Sequence, residues 1–322
     1  MGAYCETNDI PFRRSGKVVI ASHPHELPAM DELFRRGTAN GLRGLRRLAG
    51  SELAEFEPHA VGVAAIHVPE SGIVDYVEVA RSLARNLPGD IVLGDAVDRI
   101  RMTVDGAEIS TGSTIYGADV VVNCAGLHSD RVARMAGLEP PVQIVPFRGE
   151  YFTLTDEGAA LVNALVYPVP DPRFPFLGVH FTRKIDGSVE VGPNAVPALG
   201  REHYRDTRPN WSDVVETVGF RGIRPLVRTY WRTGAAEAWR SARRSTYAKS
   251  AQTLIPEIVP EHLQPGGAGI RAQALTAEGK LVDDFEIVTT DHAVHVLNAP
   301  SPAATAALAI GRHIAGLVTA QM

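Results

Sequence analysis

The chain is poor in cysteine, with only Cys5 and Cys124 in 322 residues. Neither belongs to a CxxC pair, so neither a disulfide framework nor a cysteine-held metal is expected. No HExxH or other tight histidine–carboxylate spacing occurs either, and no metal is expected on that ground. Met1 to Asp9 lack a basic segment followed by an apolar one and do not read as a secretory signal. Long hydrophobic runs are scarce. The most apolar stretch, Ala303 to Val318, is interrupted by Arg312 and His313 and reads as a buried helix rather than a membrane span. A basic stripe interleaved with aromatics is missing and the net charge is -5, which argues against a nucleic-acid partner. Internal repeats and low-complexity linkers are absent as well. These absences point to a reducing, cytoplasmic setting without a transmembrane span. They leave peripheral contact with the inner membrane open.

What is present is an ordinary globular balance. Hydrophobic residues make up 45% and charged residues 21%, enough to bury a sizeable core in one large or two ordinary domains. Gly16 to Ala21 reads as a short buried strand, and Glu26 to Arg36 as a helix from the spacing of Leu27, Met30, Leu33 and Phe34. Ser51 is a candidate cap of a short helix. Asp75 is a candidate cap of a helix running to Leu87, which Pro88-Gly89 ends. Ile91 to Val97 is predicted as a strand. Arg101 to Val104 and Ala107 to Thr111 form a predicted hairpin about Asp105-Gly106. The apolar run Ala118 to Asn123 suits a parallel strand covered on both faces. It is followed by Cys124-Ala-Gly126 and a helix from Ser129 to Met135. Strand, glycine turn and helix in that order make half of a dinucleotide-binding unit.

From Val142 to Val191 the pattern changes to short β runs separated by proline and glycine: Tyr151 to Leu154, Leu165 to Val169, Gly178 to Thr182 and Val189 to Gly192. A mostly antiparallel sheet is expected there. Trp211 to Val218 and Ala235 to Ser250 are predicted helices. Gly269 to Gln273, Phe285 to Val288 and Ala293 to Asn298 are predicted strands, and a last helix starts near Pro302. Segments of α/β character therefore flank a β-rich middle, as when one domain interrupts another.

Six motifs occur in order: Phe12-Arg-Arg-Ser-Gly-Lys17, His67-Val-Pro-Glu-Ser-Gly-Ile-Val-Asp75, Asn123-Cys-Ala-Gly-Leu-His-Ser-Asp130, Val145-Pro-Phe-Arg-Gly-Glu-Tyr151, Gly269-Ile-Arg-Ala-Gln273 and Asn298-Ala-Pro-Ser-Pro-Ala-Ala-Thr305. Together they resemble the L-2-hydroxyglutarate oxidases and dehydrogenases, within the glycine and D-amino-acid oxidase family of flavoproteins. The resemblance runs from about Ile10 onward. It implies an α/β (α+β) fold, in which an incomplete Rossmann-like FAD-binding domain is interrupted by a mostly antiparallel β substrate domain. Residues 1–74 would be mainly substrate-domain elements, 75–140 part of the FAD-binding domain, 141–264 the substrate domain, and 265–322 the C-terminal part of the FAD-binding domain.

The same resemblance implies site residues. Val97 would bond adenine through its backbone. Asn123, Cys124, Ala125 and Gly126 would form a flavin-contacting turn, where glycine lets the backbone approach a ligand closely. Ser301, Pro302, Ala303, Ala304 and Thr305 would face the flavin ring from a loop and helix start, whose unpaired N–H groups suit an anionic reduced flavin. A dicarboxylate needs cations, and a planar guanidinium binds a carboxylate bidentately, which nominates Arg148 and Arg271. Arg271 lies between glycine and apolar residues, where an unpaired charge would be costly. His180 is the candidate base for the hydroxyl proton. Tyr151 and Tyr167 are candidate hydrogen-bond donors to substrate or flavin, though either could equally be a core aromatic. His59 and His67 are weaker candidates.

The family's opening Gly-x-Gly-x-x-Gly fingerprint is not found; Gly266-Gly-Ala-Gly269 lacks the spacing and lies far along the chain. The expectation is a truncated copy without the first βαβ unit, through a missed upstream start, gene decay or a second polypeptide that supplies it. The implied reaction is oxidation of L-2-hydroxyglutarate to 2-oxoglutarate by hydride transfer to flavin N5, with dioxygen or a quinone as final acceptor. The alternatives are an oxidase of the same superfamily acting on an amino acid or glycerol phosphate, and an inactive fragment serving as a binding module.

Overall fold

A computed structural model gives the structure of the chain and describes residues 1–170, 178–204, 208–241, 243–300 and 303–320. Helix α1 (Gly2–Thr7) leads into β1 (Phe12–Arg13) and β2 (Lys17–Ala21). Then come α2 (Leu27–Ala39), β3 (Arg46–Ala49), β4 (Ala64–Val68), β5 (Ile73–Val74) and α3 (Tyr76–Arg85). A meander of β6 (Val97–Thr103), β7 (Gly106–Thr111) and β8 (Ile115–Ala118) precedes β9 (Val121–Asn123) and α4 (Ser129–Met135). The long β10 (Val142–Leu154) is followed by α5 (Asp156–Ala159), β11 (Leu165–Pro168), β12 (His180–Arg183), β13 (Val189–Gly192) and β14 (Val196–Pro197). Helices α6 (Trp211–Gly219), α7 (Ile223–Ser241) and α8 (Arg244–Gln252) lead to β15 (Leu263–Thr276), β16 (Glu286–Thr290), β17 (Ala293–Asn298) and α9 (Ala307–Thr319).

The largest sheet has the order β14-β10-β13-β12-β11-β2-β4-β3, with β15 also paired to β10. It is antiparallel throughout except for β2 against β11. The predicted antiparallel middle is therefore present, and residues near the start of the chain complete it. Strand β15 stays hydrogen-bonded to β10 from Leu263 to Thr276, so residue 264 lies inside a strand of this sheet rather than between two domains. A second, three-stranded sheet has the order β16-β17-β9, with β9 and β17 parallel. Strands β6, β7 and β8 form a separate antiparallel meander.

Alternation along the strands divides the large sheet into two faces. Val18, Ile20, Val166, Phe181, Val189 and Val191 enter the main core, which Tyr247, Ala248 and Ala251 of α8 close from above. Ala21, Ile66 and Val169 pack with Met30, Leu33 and Phe34 of α2 in a smaller core. Helix α2 covers only one end of that second face, and the rest of it holds the site described below.

Local expectations hold where capping and periodicity agree. Asp75 caps α3 by accepting from Val77 N–H at 2.8 Å. At the short 3-10 helix Gly50–Glu55 the cap is instead the Glu52 carboxylate, which accepts from Ala49 N–H at 2.7 Å, and Ser51 is not used. Ile91 to Leu93 form no strand. Gly94 turns to a positive φ of 75°, Asp95 is held by the Thr111 and Ser113 hydroxyls, and Leu93 is left 86% exposed. The run Ala118 to Asn123 is split, because the chain leaves the meander at Ala118 and enters the parallel sheet at Val121. Val122 is exposed, so β9 is not covered on both faces.

Candidate functional site

Two arrangements stand out, one on the open face of the large sheet and one at the end of the parallel pair. The first follows from register, since directly opposed residues on neighbouring strands share a face. Tyr167 is opposite Val19, Thr182 opposite Leu165, and Glu190 opposite Thr182. The stacked rings of Tyr167 and His180 lie 4.2 Å apart between centroids. Lys17 places its Nζ over the Tyr167 ring, 5.1 Å from the centroid. The Tyr167 hydroxyl is 3.4 Å from Thr182 Oγ1. Lys17, Tyr167, His180, Thr182 and Glu190 thus form a polar stripe across four strands, on the opposite side of the sheet from the main core.

His180 is buried, at 9% exposure. Its Nδ1 lies 2.9 Å from the Gly178 carbonyl, which can only accept, so Nδ1 carries the proton and Nε2 the lone pair. Burial lowers its pKa to about 4; the Gly178 carbonyl opposes this, while the charges of Arg271 and Lys17 add to it. At neutral pH this imidazole is a neutral acceptor. Burial also raises the phenol pKa values of Tyr151 and Tyr167. Tyr151 feels Arg271, Glu190 and Tyr167 electrostatically, which gathers His180, Arg271, Tyr151 and Tyr167 into one neighbourhood.

Arg148 is placed differently. Arg271 is opposite Phe147 whereas Arg148 is opposite Ile270. The one-residue offset sends the two guanidinium groups to opposite faces. Arg148 is bonded by Glu150 at 3.2 Å and by the His203 carbonyl. The expectation that both arginines hold one substrate therefore needs correction: the register leaves Arg271 with the cluster and gives Arg148 to internal acceptors. His59 pairs with Glu257 at the surface, 3.0 Å away. His67 packs its ring at a tilt against Phe56 and is opposite Val18, on the core side of the sheet. Neither joins the cluster. Sequence reasoning did not single out Lys17, Thr182 or Glu190. Strand alternation from Val18 and Ile20 could have indicated Lys17, but its neighbours come from sequence positions far away.

The second arrangement lies where β9 and β17, parallel and in register at Asn123 and His295, end together. The loops after both strands therefore emerge on one side, which is where open α/β sheets bind ligands. Asn123 is buried and holds this turn. Its amide nitrogen is 2.8 Å from the Ser129 carbonyl and 3.1 Å from His295 Nδ1, and its Oδ1 accepts from Ala125 N–H at 3.1 Å. Cys124, Ala125 and Gly126 are exposed. Gly126 has φ +55°, and no heavy atom lies within 4 Å of where a Cβ would stand. Ala303, Ala304 and Thr305 lie in a 3-10 turn ahead of α9, while Ser301 and Pro302 lie outside the described residues. Val97 opens β6 opposite Thr111, partly exposed.

A buried ion network supports the turn. Arg201, 1% exposed, donates to Asp130 at 2.5 and 3.0 Å and to the Leu127 carbonyl at 2.5 Å. Arg131 links Asp213 and Glu216 of α6 to the same helix α4. Burial pushes the Asp130 carboxyl up, but the hydrogen bonds and charge of Arg201 hold it below the ordinary carboxylate value. Among the described residues no cluster of histidine, cysteine and carboxylates could hold a metal ion, and no helix is long and apolar enough to cross a membrane.

The FAD dependent oxidoreductase family, DAO, matches residues 2–317. The chain is 46% identical over 312 residues to an L-2-hydroxyglutarate dehydrogenase of Indibacter alkaliphilus, covering 96% of this chain and 78% of that one. It is 44% identical over 320 residues to the protein of the same name from Escherichia coli, covering 98% and 76%. In fold it is similar to the L-alpha-glycerophosphate oxidase of Mycoplasma pneumoniae solved with FAD bound, with a TM-score of 0.74, 21% identity, and coverage of 96% and 74%.

Proposed function

Because the chain belongs to the DAO family of FAD-dependent oxidoreductases and acts on a CH–OH group, we propose that its substrate is L-2-hydroxyglutarate, oxidised to 2-oxoglutarate. The observation that carries the chemistry is the neutral, buried His180 with its Nε2 lone pair free of the Gly178 contact, set among the cations Arg271 and Lys17. Likeness to relatives named for L-2-hydroxyglutarate supports the substrate over an amino acid or glycerol phosphate.

The residues present fit FAD. Parallel strands that end in an exposed turn, with a left-handed glycine whose Cβ position is open, leave backbone free to approach a ligand. Cys124, Ala125 and Gly126 would hold it there, with Ala303, Ala304 and Thr305 on the adjoining loop and Val97 at the adenine. When bound, FAD supplies the hydride acceptor at its N5.

The chain's own groups do the rest. Arg271 binds the carboxylate next to the hydroxyl through its planar fork. His180 Nε2 accepts the hydroxyl proton, and the Nδ1 bond to Gly178 fixes the ring in the tautomer that can do so. A dianionic substrate beside His180 raises its pKa from about 4 toward the working range, because a nearby negative charge favours the imidazolium. Tyr167 stacks on the ring and limits its rotation. Tyr151, kept a neutral phenol by burial, is a donor to substrate oxygen.

The test is the visible spectrum of the purified chain after incubation with FAD and desalting. Retained flavin bands that bleach anaerobically with L-2-hydroxyglutarate are the expected result. Bands that bleach only with an amino acid or glycerol 3-phosphate would replace the substrate assignment.

A further inference from the structure

Among the described residues, Lys17 is a cation without a matching anion. It lies on β2, half-buried beside Tyr167, and no carboxylate among the described residues forms an ion pair with it. Burial alone accounts for the lowering of its pKa, and no compensating carboxylate acts on it. Removing an ammonium from water without pairing it is costly, and the aromatic face of Tyr167 recovers only part of that cost. A group of this kind on a polar stripe suits an anion brought from outside.

Its place along the stripe says which anion. Strand order runs β12, β11, β2, so Tyr167 lies between His180 and Lys17. With ring centroids 4.2 Å apart and Nζ 5.1 Å from the Tyr167 centroid, Nζ is at most about 9 Å from the His180 ring. A hydroxyl oxygen and a carboxylate oxygen separated by five bonds of ordinary length lie roughly 6 Å apart when extended. With a hydrogen bond of roughly 2.8 Å at each end the extended reach from His180 to Nζ is roughly 12 Å, so a bent five-carbon dicarboxylate spans the two groups. Arg271 acts on His180 and on Tyr151, toward the β10 side of the stripe, whereas Lys17 stands at the β2 side.

We propose that Lys17 binds the distal carboxylate of the substrate and makes this site select five-carbon dicarboxylates over monocarboxylates. The inference rests on reading this face as the hydroxy-acid site. Tyr167 then forms the floor under the carbon chain between the proton acceptor and the distal anchor. The bound carboxylate supplies the ion pair that the described residues do not provide.

The test compares the unsubstituted chain with Lys17→Met and Lys17→Arg. Binding of 2-oxoglutarate and of 2-oxopentanoate, its monocarboxylate counterpart, is measured by calorimetry on the chain with FAD added. The Michaelis parameters for L-2-hydroxyglutarate are measured beside them. Lys17→Met should weaken 2-oxoglutarate 10- to 100-fold and move 2-oxopentanoate less than threefold, raising KM far more than it lowers kcat. Lys17→Arg should recover part of the diacid affinity. The melting temperature of Lys17→Met without ligand should equal or exceed that of the unsubstituted chain, since a poorly paired charge has been removed. Equal losses for both ligands, or an unchanged diacid affinity, would overturn the assignment. If the unsubstituted chain binds 2-oxoglutarate but L-2-hydroxyglutarate does not reduce its flavin, the reaction assignment fails while the role of Lys17 is still decided by the binding ratio.

Discussion

Replacing Arg201 with methionine tests how the turn at Gly126 is held. The guanidinium is 1% exposed, donates to both oxygens of Asp130, which is fully buried, and to the Leu127 carbonyl, and forms an ion pair with Glu216. Without it, Asp130 retains, among the described residues, only the Ile144 N–H at 3.2 Å and a long contact to Arg134 at 3.4 Å. Breaking a buried pair from one side costs about 3–5 kcal/mol, because the remaining charge stays buried. Asp130→Asn should cost less, about 1–3 kcal/mol, because an amide oxygen remains for Arg201 and Leu127 and Glu216 still accept. The double variant should be more stable than Arg201→Met alone by more than about 1 kcal/mol, since no unpaired carboxylate remains.

The pH dependence has a definite sign. In the unsubstituted chain Asp130 is depressed, so its contribution is complete above the ordinary carboxylate value near 3.9 and is lost as pH falls below it. In Arg201→Met burial prevails, the carboxyl rises, and protonation relieves the variant as pH falls. The gap between the two proteins should be largest at pH 7 and narrower at pH 5. Urea unfolding followed by tryptophan fluorescence at both pH values measures it. Additive single effects in the double variant, or a gap that widens toward pH 5, would refute this account.

His180→Asn should lower kcat by about 10²- to 10⁴-fold, the usual range for loss of a proton acceptor, with a smaller change in KM; steady-state rates with L-2-hydroxyglutarate decide it. The depressed pKa of His180 also means that its stabilising contribution is complete above pH ~6.5 and is lost as pH falls toward about 4. That pH-dependent loss between 6.5 and 4 should be smaller in His180→Asn, as read by thermal unfolding at several pH values. Cys124 is exposed and Cys5 buried, so maleimide should label one thiol without FAD and label it several-fold more slowly with FAD bound. Unchanged labelling would remove the Cys124–Gly126 turn from the flavin site.

Much of this chain is readable along its length. Patterns of short range, such as Asp75 before an apolar helix, Ser129 to Met135 after a glycine turn, and Ala293 to Asn298 as an apolar run, appear in the structure nearly residue for residue. Local sterics and hydrogen bonds decide such elements, and those forces act within a few residues. Motif order also supplied the family and the cofactor, and it nominated His180, Tyr151 and Arg271, which the fold brings into one neighbourhood. Pairing between distant segments decided the rest. Lys17 comes beside Tyr167 only because β2 pairs with β11 across nearly half the chain. Arg148 and Arg271 part company because the register of β10 on β15 is offset by one residue, and a period of two turns one residue into the opposite face. Sequence chose the residue types. Strand register, a long-range property, decided which of them face one another.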